Sequence, residues 1–253
     1  MVIVSATVVL LIVISLVAYY YEPISTQQYS PHTWGGYVVE APQGSVDNVT
    51  GSWTIPSVNC NQNSNSHVLF WVGIDGWNAP NETVEQIGTR SDCSNGSPDY
   101  YAWYEFWPRQ PNTMRLYNIT LRSGDNVKAS VSGSPTSKSF AMIITDLTTG
   151  NSSHVRGEYQ SARLTTAEWI VEAPNFLNGT RFIMADFSSV RFYSTVMTAQ
   201  GQTRALNALS GEGPVNATEL VYTCSDGTTK AQPSAIIRAD NAFTVTWVKG
   251  GNC

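Results

Sequence analysis

Short segments rich in Val, Ile, Thr, Tyr and Trp recur along the chain after residue 33, and Gly, Pro, Asn and Ser separate them. Segments of this length and composition are typical of β-strands. A helical turn is indicated only at Thr203–Leu209. Many short strands with almost no helix predict an all-β sandwich or barrel. The predicted strands are Trp34–Ala41, Val49–Ile55, His67–Ile74, Tyr100–Trp107, Met114–Arg122, Asn126–Ser132, Phe140–Asp146, Ala167–Glu172, Arg181–Phe187, Val190–Thr195, Glu219–Thr223 and Ala242–Val248.

The N-terminal segment differs from the rest of the chain. Residues 2–21 contain no charged side chain, and a bilayer is spanned by roughly 20 apolar residues. We predict that residues 1–21 are a secretory signal peptide or a membrane anchor, two alternatives that the sequence does not separate. Residues 22–33 then form a linker and residues 34–253 a single β-domain. Either alternative predicts an extracellular location, secreted or tethered to the outer cell surface.

The cysteines support export. Cys60, Cys93, Cys224 and Cys253 are even in number and widely spaced, as in disulfide-bonded exported proteins. Their order favours the pairs Cys60–Cys93 and Cys224–Cys253, although three pairings are possible. A metal site would need closer pairs together with His, and the chain has only three His. We therefore expect no metal and no cofactor.

Charge and missing motifs exclude several functions. Only 13% of the residues are charged and the net charge is −5, so a nucleic-acid-binding surface is not expected. The chain lacks the G-x-S-x-G, H-E-x-x-H, D-T-G and G-x-G-x-x-G motifs. Carboxylates, amides and aromatic rings remain as candidate functional groups. No feature demands an oligomer, and a monomer is predicted.

One carboxylate lies in an aromatic strand. Within Tyr100–Trp107, alternation places Tyr101, Trp103, Glu105 and Trp107 on one face. Indole neighbours would desolvate Glu105 and raise its pKa. The alternatives are a surface glutamate beside exposed aromatic rings, or a core glutamate paired with Arg.

Other polar candidates are weaker on their own. Alternation places Glu168 and Glu172 on one face, which is also typical of a solvated polar strand face. Trp71 and Asp75 are likewise predicted to share a face. Gln86 lies shortly before a glycine, where the backbone can turn sharply.

Taken together, these segments resemble the glutamic peptidase family, the eqolisin group. The resemblance covers roughly residues 34–195, and the motifs occur in the family's order with similar spacing. The matching segments are WGGYVV (34–39), GSWTIPSV (51–58), FWVGIDGWN (70–78), VEQIGT (84–89), YYAWYEFWP (100–108) and AEWIVE (167–172).

The resemblance implies a β-sandwich of two antiparallel sheets, concanavalin-like or jelly-roll-like, with the substrate groove on a concave face. It implies that Gln86 and Glu172, rather than Glu168, form the catalytic pair. The activity implied is that of an acid endopeptidase, insensitive to pepstatin, which cleaves polypeptides without a metal or a covalent intermediate. The substrate-binding residues implied are Trp34, Trp71, Asp75, Trp103 and Glu105.

Departures and alternatives accompany this assignment. Arg90 and Tyr101 stand where some family members carry carboxylates, which can change subsite preference or the pH optimum. A carbohydrate-binding sandwich, or a glycoside hydrolase using Glu105 and Glu172, is an alternative. A surface domain that has lost activity is another. Sugar binding without peptide cleavage would favour the carbohydrate alternative.

Overall fold

The computed structural model describes residues 27–29, 33–77, 83–110, 112–174, 183–209, 217–251 and 253. Residues 1–21, predicted to be a signal peptide or an anchor, lie outside this part of the chain, as does most of the predicted linker. Within the described ranges, no helix combines the length and the apolar character that crossing a membrane requires.

The described part of the chain is almost entirely β-structure. One short 3-10 helix, Leu206–Ala208, confirms the predicted helical turn. The strands, numbered in chain order, are β1 (Gln27–Tyr29), β2 (Trp34–Glu40), β3 (Val46–Thr54), β4 (Ser66–Ile74), β5 (Val84–Ser94), β6 (Ser97–Trp107), β7 (Met114–Arg115), β8 (Asn126–Gly133), β9 (Ser139–Asp146), β10 (Ser152–Glu158), β11 (Thr166–Glu172), β12 (Ser189–Ala199), β13 (Gln202–Ala205), β14 (Ala217–Leu220), β15 (Tyr222–Thr223), β16 (Thr229–Pro233) and β17 (Phe243–Trp247).

These strands form two sheets. The first has eight strands in the order β1-β14-β2-β11-β4-β5-β6-β7. The second has nine, in the order β10-β9-β8-β3-β12-β17-β16-β15, with β13 beside β12. The short β1 runs parallel to β14, whereas the pairings that build the centre of both sheets are antiparallel. The prediction of an all-β fold with two antiparallel sheets is confirmed.

A large apolar core joins the inner faces of the two sheets. Two buried indoles also hydrogen-bond from one sheet to the other. The Nε1 of Trp53 on β3 donates to Thr89 Oγ1 on β5 at 2.9 Å. The Nε1 of Trp169 on β11 donates to the Thr50 carbonyl oxygen on β3 at 2.8 Å. Because both donors are satisfied, the indoles contribute apolar area to the core without a buried unpaired N–H.

The outer face of the first sheet also carries buried side chains, which form a second apolar cluster. Its members come from β2, β4, β5, β6, β11 and β14 and from the segment after β4. They are Trp34, Val38, Leu69, Trp71, Trp77, Val84, Trp103, Ile170 and Leu220. Burial on both faces means that the central strands of this sheet do not alternate between apolar and polar residues.

The structure differs from three local predictions. Gln86 does not precede a turn but lies within β5, a strand that the sequence analysis did not predict. The predicted strand Met114–Arg122 is limited to Met114–Arg115. In place of Arg181–Phe187, the described residues 183–187 make only isolated bridges through Met184 and Asp186. Residues 181 and 182 lie outside the described part of the chain.

The glycine after Gln86 has another role than a turn. A Cβ at Gly88 would lie 2.0 Å from the carbonyl oxygen of Phe70 and 2.7 Å from the Cβ of Trp71 on neighbouring β4. Since real Cβ atoms do not approach so closely, only glycine permits the observed contact between β4 and β5.

Both disulfides favoured by the order of the cysteines are present. Cys60–Cys93 has a Cα–Cα distance of 5.3 Å, and Cys224–Cys253 has one of 5.1 Å. A disulfide that closes a loop of this length stabilises a fold by about 3–4 kcal/mol, because it lowers the chain entropy of the unfolded state. The first bridge ties the segment after β3 to the end of β5, the strand that carries Gln86.

Candidate active site

The strand register aligns polar residues in a row across the outer face of the first sheet. Glu168 on β11 lies opposite Gly73 on β4, Gly73 lies opposite Gln86 on β5, and Gln86 lies opposite Glu105 on β6. Directly opposed residues in antiparallel strands project to the same face. The sheet therefore brings Gln86 and Glu105 together, with Glu168 beyond the glycine.

Gln86 and Glu105 are in direct contact. The Gln86 Nε2 donates a hydrogen bond of 2.7 Å to Glu105 Oε2, and the two residues are 5% and 9% exposed. Gln86 Oε1 is buried and has no hydrogen-bond partner among the described residues. Both alternatives considered for Glu105, a solvated glutamate and a core Glu–Arg pair, are therefore wrong.

Burial and, to a smaller extent, the negative charge of Glu172 raise the pKa of Glu105 to about 8, and the hydrogen bond from Gln86 acts in the opposite direction. At acidic and neutral pH Glu105 is consequently a neutral carboxylic acid beside the Gln86 amide. The negative charge of Glu172 therefore acts on the same carboxyl group that accepts the hydrogen bond from Gln86.

Glu172 lies at the end of β11, in a second row. Its Oε2 accepts a hydrogen bond of 3.1 Å from Trp71 Nε1, and its Oε1 accepts one of 3.3 Å from Thr33 Oγ1. Burial raises the pKa of Glu172 to about 7. Hydrogen bonds from Trp34, Trp71 and Thr33 and the positive charge of Arg90 act in the opposite direction. Glu172 can therefore change protonation state within the physiological pH range.

The predicted tryptophans surround these carboxyl groups. Trp34 and Trp71 make an edge-to-face contact with ring centroids 4.9 Å apart. Trp71 lies over Gly73, where a Cβ would approach its ring to 2.8 Å. Trp103 is fully buried, and its Nε1 has no hydrogen-bond partner among the described residues. The site thus combines apolar walls with an indole donor that is not engaged.

Asp75 does not join the site, which corrects the expectation that it binds substrate. Strand β4 ends at Ile74, and Asp75 has a φ of 66°, so the alternation no longer applies. Its Oδ2 accepts backbone N–H groups of Arg163 and Leu164, and its Oδ1 accepts that of Thr165, each at 2.7 Å. With an exposed fraction of 1%, Asp75 anchors the segment before β11.

Glu168 is fully buried, although a solvated polar face was the alternative interpretation for this strand. That interpretation is wrong for Glu168, because large side chains bury it on the outer face of the sheet. Its position opposite Gly73 places it in the row of Gln86, two strands away, whereas Glu172 lies four residues further along the same strand.

A further buried carboxyl lies on the inner face of the same strand. Glu85 is 0% exposed and lies opposite Phe106 on β6. Neither of its carboxyl oxygens has a hydrogen-bond partner among the described residues. Burial raises the pKa of Glu85 to about 9, and the negative charge of Asp75 contributes. The group is therefore neutral in the folded protein over most of the pH range.

The sequence analysis did not predict the ionic cluster beside Glu172. Asp92 Oδ1 lies 2.7 Å from His67 Nδ1 and 2.8 Å from Arg90 Nε, and Asp92 Oδ2 accepts the Tyr101 hydroxyl at 3.0 Å. Burial raises the pKa of Asp92, but His67 and Arg90 more than offset this and lower it overall. Three of these side chains lie on β4 and β5, so recognition of β5 as a strand would have revealed the cluster.

The arrangement suits the activation of water by a carboxylate. An ionised Glu172 can accept a proton from water. The amide of Gln86, held by a neutral Glu105, can donate to an oxygen that develops negative charge. Among the described residues, no group of His, Cys, Asp and Glu is arranged to hold a metal ion.

The chain is similar to a known protein family and to several solved structures. The model of the Peptidase A4 family matches residues 32–246. Scytalido-glutamic peptidase, solved with a transition state analog inhibitor, is 23% identical, with a TM-score of 0.70 over 89% of this chain and 100% of that chain. SCP-B, a member of the eqolisin family solved with the tripeptide Ala-Ile-His, is 23% identical, with a TM-score of 0.67 over the same shares. Aspergilloglutamic peptidase from Aspergillus niger is 29% identical, with a TM-score of 0.59 over 72% of this chain and 99% of that chain. No curated protein sequence matches the chain.

Proposed function

The chain belongs to the Peptidase A4 family, the glutamic peptidases, and from this premise we propose that it is an endopeptidase in which Gln86 and Glu172 activate a water molecule. The family match carries the proposal. The projection of both side chains from the outer face of one sheet, beside the cluster that contains Trp34, Trp71 and Trp103, supports it. Its substrates are polypeptides.

The proposed reaction needs one ionised carboxylate. Glu172 takes a proton from a water that lies between it and the Gln86 amide, and the water oxygen forms a bond to the scissile carbonyl carbon. An N–H of Gln86 donates to the resulting oxyanion. Glu172 then transfers its proton to the amide nitrogen as the carbon–nitrogen bond breaks, so that the carboxylate is restored. No covalent acyl-enzyme forms.

Glu105 has a supporting role in this proposal. As a neutral acid it accepts the 2.7 Å hydrogen bond from Gln86 without adding a negative charge beside the oxyanion. Trp34, Trp71 and Trp103 form the walls of the site. Asp75 has no part in binding substrate, because backbone N–H groups occupy both of its oxygens.

The proposal includes a working pH range that is limited on both sides by the titration of a carboxyl group. Burial raises the pKa of Glu172 to about 7, whereas a hydrogen bond from the attacking water to the carboxylate lowers it. We therefore expect the lower limit of activity between the ordinary glutamate value of 4.5 and about 7. The upper limit is set by ionisation of Glu105, with a pKa of about 8.

We also propose that the protein is exported and acts as a monomer. Two disulfides are consistent with an oxidising compartment. Residues 1–21 serve as a signal peptide or as an anchor at the outer cell surface, residues 22–33 as a linker, and residues 34–253 as the single peptidase domain.

Cleavage of denatured haemoglobin or casein by the full chain tests the proposal. We would measure it between about pH 2 and pH 9, with pepstatin present, for the wild type and for Glu172→Gln, Gln86→Ala and Glu168→Gln. Pepstatin-resistant cleavage that falls by at least about 100-fold in Glu172→Gln and in Gln86→Ala is expected.

Glu168→Gln is the matched control, because it makes the same change on the same face of β11. It is expected to retain measurable cleavage. Full activity in Glu172→Gln, or loss of activity only in Glu168→Gln, would contradict the assignment of the catalytic pair. A folded wild type without any cleavage would contradict the peptidase proposal, and sugar binding would then be tested.

A further inference from the structure

We propose that Arg90 is a positioning residue whose positive charge favours the ionised, base form of Glu172 and so extends the reaction to lower pH. The inference rests on the proposed function of Glu172. It concerns a residue in the ionic cluster with His67, Asp92 and Tyr101, which takes no part in the bond-breaking steps described above.

The register places Arg90 in the same row as Glu172. Glu172 on β11 lies opposite Leu69 on β4, and Leu69 lies opposite Arg90 on β5. All three side chains project to the outer face. Leu69 is 2% exposed, so the space between the carboxylate and the guanidinium is apolar and poorly screened.

The guanidinium of Arg90 is fixed by contacts with β4, β5 and the segment before β7. Its Nη2 lies 3.1 Å from His67 Nδ1 on β4, the strand between β5 and β11. Its Nε contacts Asp92 at 2.8 Å, and its Nη1 donates to Thr113 Oγ1 at 3.3 Å. The side chain is only 13% exposed. A cation that donates to Asp92 and Thr113 and is shielded from water exerts a steady field that salt screens poorly.

Burial disfavours the ionised form of Glu172, and the hydrogen bonds from Trp34, Trp71 and Thr33 act with Arg90 against this effect. Glu168 and Glu105 lie on the same face, beyond the row of Trp71 and Trp103, and Asp92 adds a negative charge next to Arg90. On the described part of this face, Arg90 is the cation in the row of Glu172, whereas Arg115 belongs to the row of Trp103 on the edge strand. The titratable and charged groups on this face are Glu40 on β2, Glu168 on β11, His67 on β4, Arg90 and Asp92 on β5, Asp99, Tyr101 and Glu105 on β6, and Arg115 on β7.

The size of the effect follows from the separation. Two strand spacings correspond to about 10 Å. A unit charge at this distance, with an effective dielectric constant of about 20 to 40, changes the pKa of a carboxyl by roughly half a unit to one unit. The positive charge of Arg90 indeed acts to lower the pKa of Glu172.

The test is the pH dependence of kcat/KM for the full chain carrying Arg90→Gln, Arg90→Lys or Arg115→Gln. Arg90→Gln should shift the acid limb of the kcat/KM profile to higher pH by roughly half a pH unit to one pH unit, and kcat at the optimum pH should change little. Arg90→Lys should leave the limb close to that of the wild type, since the charge remains. Arg115→Gln removes the same charge from a side chain that is 38% exposed, and should leave the limb unchanged.

Direct titration keeps this inference separate from the peptidase proposal. The carboxyl carbon of Glu172, followed by NMR in the inactive Gln86→Ala protein, should titrate at higher pH when Arg90→Gln is added. An unchanged acid limb and an unchanged titration would overturn the role of Arg90 and leave the peptidase proposal intact. An equal shift in Arg115→Gln would also overturn it, because a general loss of positive charge would then explain the result.

Discussion

The side-chain amide of Gln86 donates a hydrogen bond of 2.7 Å to Glu105. Burial raises the pKa of this carboxyl group to about 8, so it is neutral at lower pH. The bond fixes the orientation of the amide without consuming Gln86 Oε1, which has no partner among the described residues. Glu105 therefore serves as an orienting acid, which separates its role from that of Glu172.

We predict that Glu105→Gln keeps most of the activity below pH 7, because a neutral amide replaces a neutral acid that accepts the same hydrogen bond. The alkaline limb near pH 8 should disappear, since the ionising group is gone. Glu105→Ala should lower kcat by roughly 10- to 100-fold at every pH, because Gln86 loses its orienting partner. The pH profiles of kcat for both variants check this, and an inactive but folded Glu105→Gln would make Glu105 a catalytic acid or base instead.

Trp71 should contribute to the ionised state of Glu172. Trp71→Phe removes the indole N–H that donates at 3.1 Å to Glu172 Oε2, while an aromatic ring still contacts Trp34. Because that hydrogen bond favours the carboxylate, its loss raises the pKa of Glu172, and the acid limb of kcat/KM should move up by about one pH unit. Thr33→Val removes the longer bond of 3.3 Å and should give a smaller shift. A larger shift in Thr33→Val would reverse the assigned order of the two donors.

Glu85 should make the protein less stable as the pH rises. Its pKa is about 9 in the folded protein against an ordinary value of 4.5, so folding favours the protonated form. The stabilisation is complete below pH 4.5 and is lost progressively as the pH rises to about 9. Glu85→Gln removes this titration and should therefore raise the free energy of unfolding at pH 8 while changing it little at pH 4.

Urea denaturation followed by tryptophan fluorescence between pH 4 and pH 9 measures the effect of Glu85. The free energies of unfolding of the wild type and of Glu85→Gln should differ most at the alkaline end of this range, by up to several kcal/mol. Glu158→Gln, at an exposed position, is the control and should follow the wild type at every pH. Parallel curves for wild type and Glu85→Gln would mean that Glu85 does not titrate on unfolding.

The two disulfides should contribute similar amounts to stability, because they close loops of 33 and 29 residues. Replacing either pair by serines should lower the free energy of unfolding by about 3–4 kcal/mol. Cys60→Ser with Cys93→Ser can be compared with Cys224→Ser and Cys253→Ser by thermal melting. A loss confined to one pair would show that local packing, rather than loop closure, decides the stabilisation.

Much of the fold and of the site could be predicted from local patterns. Alternation correctly assigned Trp103 and Glu105 to one face of β6 and Trp169 to the core side of β11. Cross-strand partners could not be predicted, because Gln86 and Glu105 are brought together by the β5–β6 register rather than by sequence spacing.

Two errors have a common physical origin. Strand β5 carries polar residues on both faces, including Glu85 and Gln86, so neither the apolar alternation nor a continuous apolar run marks it as a strand. Asp75 follows the last residue of β4 and adopts a positive φ. A pattern that holds inside a strand gives no information about the residue just beyond its end.

The Cys60–Cys93 bridge has a consequence for a protein that cleaves polypeptides. The bridge encloses β4 and β5, and with them Trp71 and Gln86. A single cut at a bond between the two cysteines, made by a second copy of the enzyme, leaves both new ends covalently joined. Such a nicked chain migrates as one species on a gel until it is reduced, and the strand that carries Gln86 stays attached to the rest of the molecule.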